Sequence, residues 1–204
     1  MKLSICLSCG ARCCKYHPPI LTVFDIARIC KFLNIEVEDF ISNYCEVINL
    51  VDLANQDITL KSVTQLFMNY IKHLWSHSIS KYFMNFKVIR LRKVENSCIF
   101  LKNNLCSINP VKPMICRVFP IKPFRTVLTG YVVLEDKCPL SKYSELLVNE
   151  LNYLIIYLME MKTHIVVTLG LRIDEIVNQV KYLLSSNFQV TTHSQYQYLQ
   201  VHSL

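Results

Sequence analysis

The pattern of hydrophobic and polar positions predicts two consecutive helices near the start of the chain. Apolar residues recur at helical spacing over positions 24–33. Thr22 can cap this helix, because Asp25 stands three residues further on, as a capping box requires. Asn34 is a typical stop signal, and positions 36–44 predict a second, short helix.

The middle of the chain has a different pattern. Positions 88–92 alternate apolar and basic residues, which predicts a half-buried strand, and 98–101 and 131–135 predict further short strands. Four prolines impose turns between them: Pro110, Pro113, Pro120 and Pro123. The sequence shows no internal repeat. The helices predicted in the rest of the chain span 60–75, 141–161 and 173–184.

These elements predict an α+β fold, predominantly helical, as a single domain with short strands around a cysteine-rich metal site. We expect residues 1–139 to form this metal-binding domain, with a cysteine-free helical insertion over about 46–87. The helices within 140–190 are expected to pack on the same domain. Residues 191–204 are rich in Gln, Ser, His and Tyr without a period, which predicts a disordered tail.

Composition narrows the chemistry that the chain can perform. Apolar residues make up 52% of the 204 positions and charged residues 18%, which allows a well-buried core. The only glycines are Gly10, Gly130 and Gly170. The chain therefore lacks the clustered glycines that a dinucleotide-binding fingerprint or a phosphate-binding loop requires. The net charge of +7 supports nucleic-acid binding only weakly. A solvated strand face, or compensation for thiolate charge, explains the same residues.

The sequence gives no sign of a targeting or membrane segment. The N-terminus has cysteines and basic residues where a signal peptide needs an unbroken apolar run. The most apolar window, 151–159, is too short to span a bilayer. We therefore expect a cytoplasmic protein without a membrane segment, and the sequence identifies no partner.

The ten cysteines are clustered: six lie within 6–45 and four within 98–138. The first cluster contains a Cys-x-x-Cys pair followed by Gly10, an arrangement in which a tight turn brings two sulfurs to one ion. Thiolates are soft ligands that suit zinc and iron–sulfur centres. The candidate metal ligands are Cys6, Cys9, Cys13, Cys14, Cys98, Cys106, Cys116 and Cys138.

The adjacent pair Cys13 and Cys14 constrains the ligand assignment. In extended backbone, neighbouring side chains point to opposite faces, so both would not bind one tetrahedral ion. Either they serve two centres, or one of them is a ligand and the other is structural or redox-active. Cys30 and Cys45 fit buried core positions better than ligand positions. A disulfide framework is a poor alternative for a large, apolar chain without an export signal.

The cysteine pattern resembles that of the CxxCxxCC cysteine-cluster family (YkgJ type), whose members are described as zinc- or iron-chelating proteins. The resemblance covers about 6–139: the first cluster, the segment Asp25-Ile26-Ala27-Arg28-Ile29, Cys98, Cys106, the run Cys116-Arg117-Val118-Phe119-Pro120, and Cys138-Pro139. Three residues separate Cys9 from Cys13 where the family has two, and Lys112 replaces an arginine. The extra residue leaves open which of Cys13 and Cys14 matches the third family cysteine.

The resemblance implies a metal-binding protein that holds an iron–sulfur cluster or zinc. Apolar neighbours such as Phe100 and Phe119 would form a dry shell, which favours an iron–sulfur cluster. Two alternatives remain open. One is a cluster-dependent enzyme, since some proteins with related cysteine clusters are flagellin lysine N-methylases. The other is a thiol redox or regulatory protein that uses Cys13 and Cys14.

Overall fold

The chain folds into helices joined to short antiparallel strand pairs, which confirms the predicted α+β class. The computed structural model describes residues 9–16, 19–49, 52, 87–123, 126, 134–135, 138–142, 148–168 and 171–186. The helices are α1 (Arg12–Tyr16), α2 (Val23–Leu33), α3 (Val37–Tyr44), α4 (Met114–Val118), α5 (Val148–Thr168) and α6 (Ile173–Ser185). The strands are β1 (Cys45–Asn49), β2 (Lys87–Leu91), β3 (Lys93–Val94), β4 (Ser97–Cys98), β5 (Leu101–Lys102) and β6 (Leu105–Cys106). Short 3-10 helices span Asn109–Val111 and Pro139–Lys142.

Helix α2 has the boundaries that its sequence predicts. The Thr22 hydroxyl accepts a hydrogen bond from the Asp25 backbone N–H, and the Asp25 carboxylate accepts one from the Thr22 N–H, each at 3.1 Å. This reciprocal pair satisfies two donors at the helix start, which lack partners within the helix. The helix ends at Asn34, whose φ of 53° places it in the left-handed region that terminates helices.

Strands β1 and β2 form an antiparallel pair in which Cys45 lies opposite Leu91. The segment that enters α2 runs along the other side of β2, where the Leu21 N–H donates to the Ile89 carbonyl at 2.8 Å. The predicted strand over 88–92 is therefore confirmed. It ties the start of α2 to the middle of the chain.

Two hairpins of the same design follow β2. Strands β3 and β4 are joined by Glu95 and Asn96, and strands β5 and β6 by Asn103 and Asn104. All four turn residues have φ between 49° and 61°. Positive φ at both central residues matches the right-handed twist of a two-residue hairpin. The continuous strand predicted over 98–101 is wrong, because the chain turns between β4 and β5. The two hairpins therefore share one backbone conformation, although their sequences are not repeats of each other.

Aromatic stacking attaches the hairpins to the helices. The ring of Phe100, between the two hairpins, stacks on Tyr44 with the ring centroids 5.3 Å apart and the planes 4° from parallel. Phe40 stacks on Tyr44 in turn, at 5.7 Å. Stacked aromatic pairs contribute about 1 kcal/mol each beyond their buried area. The hairpins are thus fixed against α3.

The two long C-terminal helices pack on the parts of the fold already described. Helix α6 lies against α2 and α3, and α5 lies against α4 and α2. The predicted helix over 173–184 is confirmed. The one predicted over 141–161 corresponds to α5, which begins at Val148 and continues to Thr168, whereas Ser141 lies in a 3-10 helix. Among the described residues, no helix is both long and apolar enough to cross a bilayer. The predictions for 60–75, 131–133 and 191–204 lie outside the described residues.

A buried ionic network joins α2 to α5. The Arg28 guanidinium donates to the Glu160 carboxylate at 2.8 Å and also to Asp25. Asp25 is fully buried, and Arg28 and Glu160 are both less than 9% exposed. Buried charges are tolerated only when they are paired, because burial removes their hydration. Near the same place, the Val23 N–H donates to His164 Nδ1 at 3.3 Å.

We predict that His164 makes stability fall in mild acid. Burial lowers the pKa of His164 from 6.5 to about 4. Between these two pH values the imidazole is protonated in the unfolded chain but neutral in the folded chain. Stability is therefore lost as pH falls from about 6.5 to about 4. Wild type should lose about 3 kcal/mol more unfolding free energy between pH 7 and pH 4 than His164→Asn, which keeps an acceptor. Urea unfolding at each pH measures this, and parallel curves for the two proteins would contradict it.

Candidate metal centre

The first cysteine cluster folds as a tight turn that leads into helix α1. Gly10 and Ala11 both have positive φ, at 67° and 52°, and the Cys14 N–H donates to the Ala11 carbonyl at 3.0 Å. Cys13 and Cys14 are helical, with their sulfurs 4.0 Å apart. The expectation that they sit in extended backbone on opposite faces is wrong, since Gly10 and Ala11 turn the chain directly into the helix. A sulfur pair on one tetrahedral ion lies about 3.8 Å apart, so this spacing is compatible with a shared metal.

The two hairpins present Cys98 and Cys106 in equivalent positions. Each cysteine ends the second strand of its hairpin, opposite Lys93 or Leu101. Each sulfur also interacts with a backbone N–H two residues further on, that of Phe100 or of Ile108, which favours the thiolate. Backbone N–H groups directed at sulfur stabilise the charged form that a metal requires.

Cys116 lies on α4, whose position depends on Asp25. The Met114 N–H, at the first residue of α4, donates to Asp25 Oδ1 at 2.8 Å. The other carboxylate oxygen of Asp25 caps α2 through Thr22. One carboxylate therefore fixes the start of α2 and the start of the helix that carries Cys116.

Four thiols from distant parts of the chain lie within electrostatic range of one another. The charge of Cys13 acts on Cys98, Cys106 and Cys116, the charges of Cys98 and Cys106 act on Cys116, and that of Cys106 acts on Cys98. Every pair in this set interacts. Helix α1 also packs directly against β4, where Cys98 lies. We call Cys13, Cys98, Cys106 and Cys116 the four-thiol set.

The four-thiol set is gathered but not closed around an ion. Within the described parts of the chain, no three His, Cys, Asp or Glu side chains are arranged to hold a metal ion. The chemistry of the donors nevertheless fits zinc or an iron–sulfur cluster, because all four are thiols. None of the nine described cysteines forms a disulfide with another of them.

Burial and mutual repulsion keep these thiols protonated when they have only one another as neighbours. Desolvation raises the pKa of Cys98, Cys106 and Cys116, and for Cys116 the charge of Cys13 adds to the effect. The pKa of Cys13 is raised chiefly by its hydrogen bond with Cys14 and then by burial. Binding of a metal ion would require these thiols to lose their protons.

Two cations lie where they can offset thiolate charge. The charge of Lys112 lowers the pKa of Cys13, Cys106 and Cys116, and that of Arg117 lowers the pKa of Cys106. Arg117 is held by the Lys112 carbonyl at 3.2 Å. In the sequence, Lys112 stands out only because it replaces an arginine of the family pattern, four residues before Cys116.

Besides the four-thiol set and Cys14, the described residues include Cys9, Cys30, Cys45 and Cys138. Cys9 lies in the turn before α1, and the Cys138 N–H donates to the Glu135 carbonyl at 3.0 Å. Cys6 lies outside the described residues. Cys30 and Cys45 are core residues, as expected, and burial raises the pKa of each to about 12.

A comparison with protein-family models finds one match. Residues 5–139 match the model described as "CxxCxxCC: Putative zinc- or iron-chelating domain". The match includes all eight candidate ligands and stops before α5 and α6. No curated protein and no solved structure matches the chain.

We predict that Gly10→Ala destabilises the protein more than Ala11→Gly does. Gly10→Ala should lower the unfolding free energy by about 1 kcal/mol, because a side chain at positive φ is strained. The added Cβ would lie 3.8 Å from Lys15 Nζ, an ordinary contact, so crowding adds nothing. Ala11→Gly should change it by less, because relief of strain is offset by the entropy cost of glycine and by loss of a buried methyl. Urea unfolding measures both, and a Gly10→Ala variant as stable as wild type would contradict the turn geometry.

Proposed function

The chain belongs to the CxxCxxCC family of zinc- or iron-chelating domains, and we propose on that basis that it binds metal through the four-thiol set. The observation that carries the proposal is the packing of α1, which carries Cys13, against β4, which carries Cys98, and the charges of Cys13, Cys98 and Cys106 all act on Cys116. These residues come from α1, two hairpins and α4, which are separated in sequence. A bound cation would remove the repulsion among their charged forms.

An iron–sulfur cluster suits the set better than a single zinc ion. An iron–sulfur cluster is commonly held by four cysteine thiolates, which is the donor set that these residues offer. Cys98 and its neighbour Phe100 are both buried, which supplies the dry environment that tunes a cluster. Zinc uses the same donors, so the two metals share one site in this proposal.

The remaining predicted ligands are additional candidates beside the four-thiol set. Cys14 lies 4.0 Å from Cys13, within reach of the same centre. Cys6, Cys9 and Cys138 remain candidate ligands from the sequence pattern. We propose that residues 1–139 are the metal-binding domain, and the packing of α5 on α4 supports the assignment of 140–190 to the same body.

Metal analysis of anaerobically purified protein tests the proposal. We expect bound iron with a brown colour and broad visible absorption, because sulfur-to-iron charge transfer gives a cluster its spectrum. Colourless protein with one equivalent of zinc would support the same site but identify its metal as zinc instead of an iron–sulfur cluster. Protein that contains neither metal after anaerobic loading with iron and sulfide, or with zinc, would overturn the function.

Serine variants assign the ligands. Cys98→Ser, Cys106→Ser and Cys116→Ser should each weaken metal binding by at least about tenfold, because a hydroxyl is a harder and weaker donor. Cys30→Ser and Cys45→Ser are matched controls, since both remove a buried thiol from the core outside the set. Their metal content per folded chain should equal that of wild type. Equal loss in both groups would mean that the metal depends on folding alone.

A further inference from the structure

Helix α5 places three polar or aromatic side chains on the face that packs against α4, the helix that carries Cys116. Tyr153, Tyr157 and Glu160 are separated by four and then three positions, a spacing that puts them on one side of a helix. Tyr157 is buried in an apolar cluster with residues of α4, and Tyr153 packs against the same cluster. Burial raises the pKa of Tyr157, and the charges of Asp25, Cys116 and Glu160 add to this effect. This face of α5 therefore lies within electrostatic range of a candidate ligand.

Glu160 is connected to the start of α4 by a continuous series of buried contacts. The Arg28 guanidinium donates to the Glu160 carboxylate at 2.8 Å and also to Asp25. Asp25 in turn accepts the Met114 N–H at 2.8 Å. Met114 is the first residue of α4 and stands two positions before Cys116. Glu160 thus bears on the position of Cys116 through two intervening side chains.

Tyr153 makes a second contact, with the residue that follows Cys116. The Arg117 guanidinium lies 5.7 Å from the centre of the Tyr153 ring, within the range of a cation–π contact. Arg117 also donates to two backbone carbonyls of the segment before α4. Burial raises the pKa of Cys106, and the charge of Arg117 opposes this rise, which favours the thiolate that a metal requires. Tyr153 therefore holds a cation that acts on a second candidate ligand.

Apolar packing between α4 and α5 does not by itself account for these contacts. Replacing a buried ion pair by well-packed apolar side chains is often neutral or stabilising, so stability alone does not require the pair of Arg28 and Glu160. The two contacts instead converge on residues that flank Cys116, which is the placement expected of groups that orient a metal ligand. Neither Tyr153 nor Glu160 lies within residues 5–139, which match the family model.

We propose that Tyr153 and Glu160 are positioning residues of the metal centre, which makes α5 a part of that centre. The proposal rests on the proposed function, because the position of Cys116 matters only if it is a ligand. Glu160 holds the start of α4, and Tyr153 holds Arg117 within range of Cys106. A helix outside the family domain therefore sets how tightly this chain retains its metal.

Anaerobic loading of the reduced full chain with Co²⁺, and separately with iron and sulfide, tests the proposal. Co²⁺ stands in for zinc, because tetrahedral thiolate ligands give it an intense visible spectrum. In each loading that wild type accepts, competition with a chelator should show binding weakened at least about tenfold by Glu160→Gln and about fivefold by Tyr153→Leu. Tyr153→Phe keeps the ring, so it should match wild type in affinity and spectrum.

The matched control for lost stability is Ile165→Ala. Ile165 is buried on the same helix, but it is not among the described residues of the cluster that α5 forms with α4. This variant should lose unfolding free energy yet keep the metal affinity per folded chain and the Co²⁺ spectrum of wild type. Equal metal loss in Ile165→Ala, or in Tyr153→Phe and Tyr153→Leu alike, would overturn the proposal. Tyr153 is only half-buried, so Tyr153→Leu decides the test should Glu160→Gln fail to fold.

Alkylation of the metal-free protein adds a readout that does not depend on metal. Cys116 should react at least about fivefold faster in Glu160→Gln than in wild type, because α4 loses its hold and opens locally, whereas Cys45 should react equally in both. Equal reactivity of Cys116, or unchanged metal binding in both variants of a chain that wild type loads, would refute the positioning role alone. Wild type that takes up no metal in either loading would refute the proposed function, and the positioning role with it.

Discussion

The Asp25 carboxylate is the interaction on which the rest of the structure depends. One oxygen closes the capping box of α2 with Thr22, and the other accepts the Met114 N–H at the start of α4. Arg28 neutralises this buried charge and extends the network to Glu160 on α5. Removing one partner from such a network leaves an uncompensated buried charge, which typically costs about 3–5 kcal/mol. The helix that carries Cys116 is thus positioned by a residue far from it in sequence.

The sequence predicts well what depends on neighbouring residues. The capping box of Thr22 and Asp25 and the stop at Asn34 locate α2, because these signals act within one turn of helix. The two hairpins escape prediction, since their turns use Glu95, Asn96 and two further asparagines at positive φ without any glycine. The link from Asp25 to Met114 also escapes, because hydrogen bonds across 89 positions leave no local pattern.

In the candidate site, too, local sequence predicts some features and distant contacts determine the others. The identity of the cysteines follows from their spacing and from the family resemblance, whereas their grouping requires the fold. The prediction that Cys13 and Cys14 point apart assumed extended backbone, and the helical turn after Gly10 makes it wrong. The gathering of four thiols depends on closing a loop of more than 80 residues between Cys13 and Cys98. Metal binding would contribute to folding free energy by holding that loop closed.

We propose that two distant stretches of the chain supply sulfur to one metal. X-ray absorption at the edge of the bound metal measures its ligands directly. We expect only sulfur ligands at about 2.3 Å: four around a zinc ion, or sulfur together with iron–iron scattering for a cluster. A first shell of nitrogen or oxygen, or a shell that keeps all its sulfur when both hairpin cysteines are replaced by serine, would contradict it.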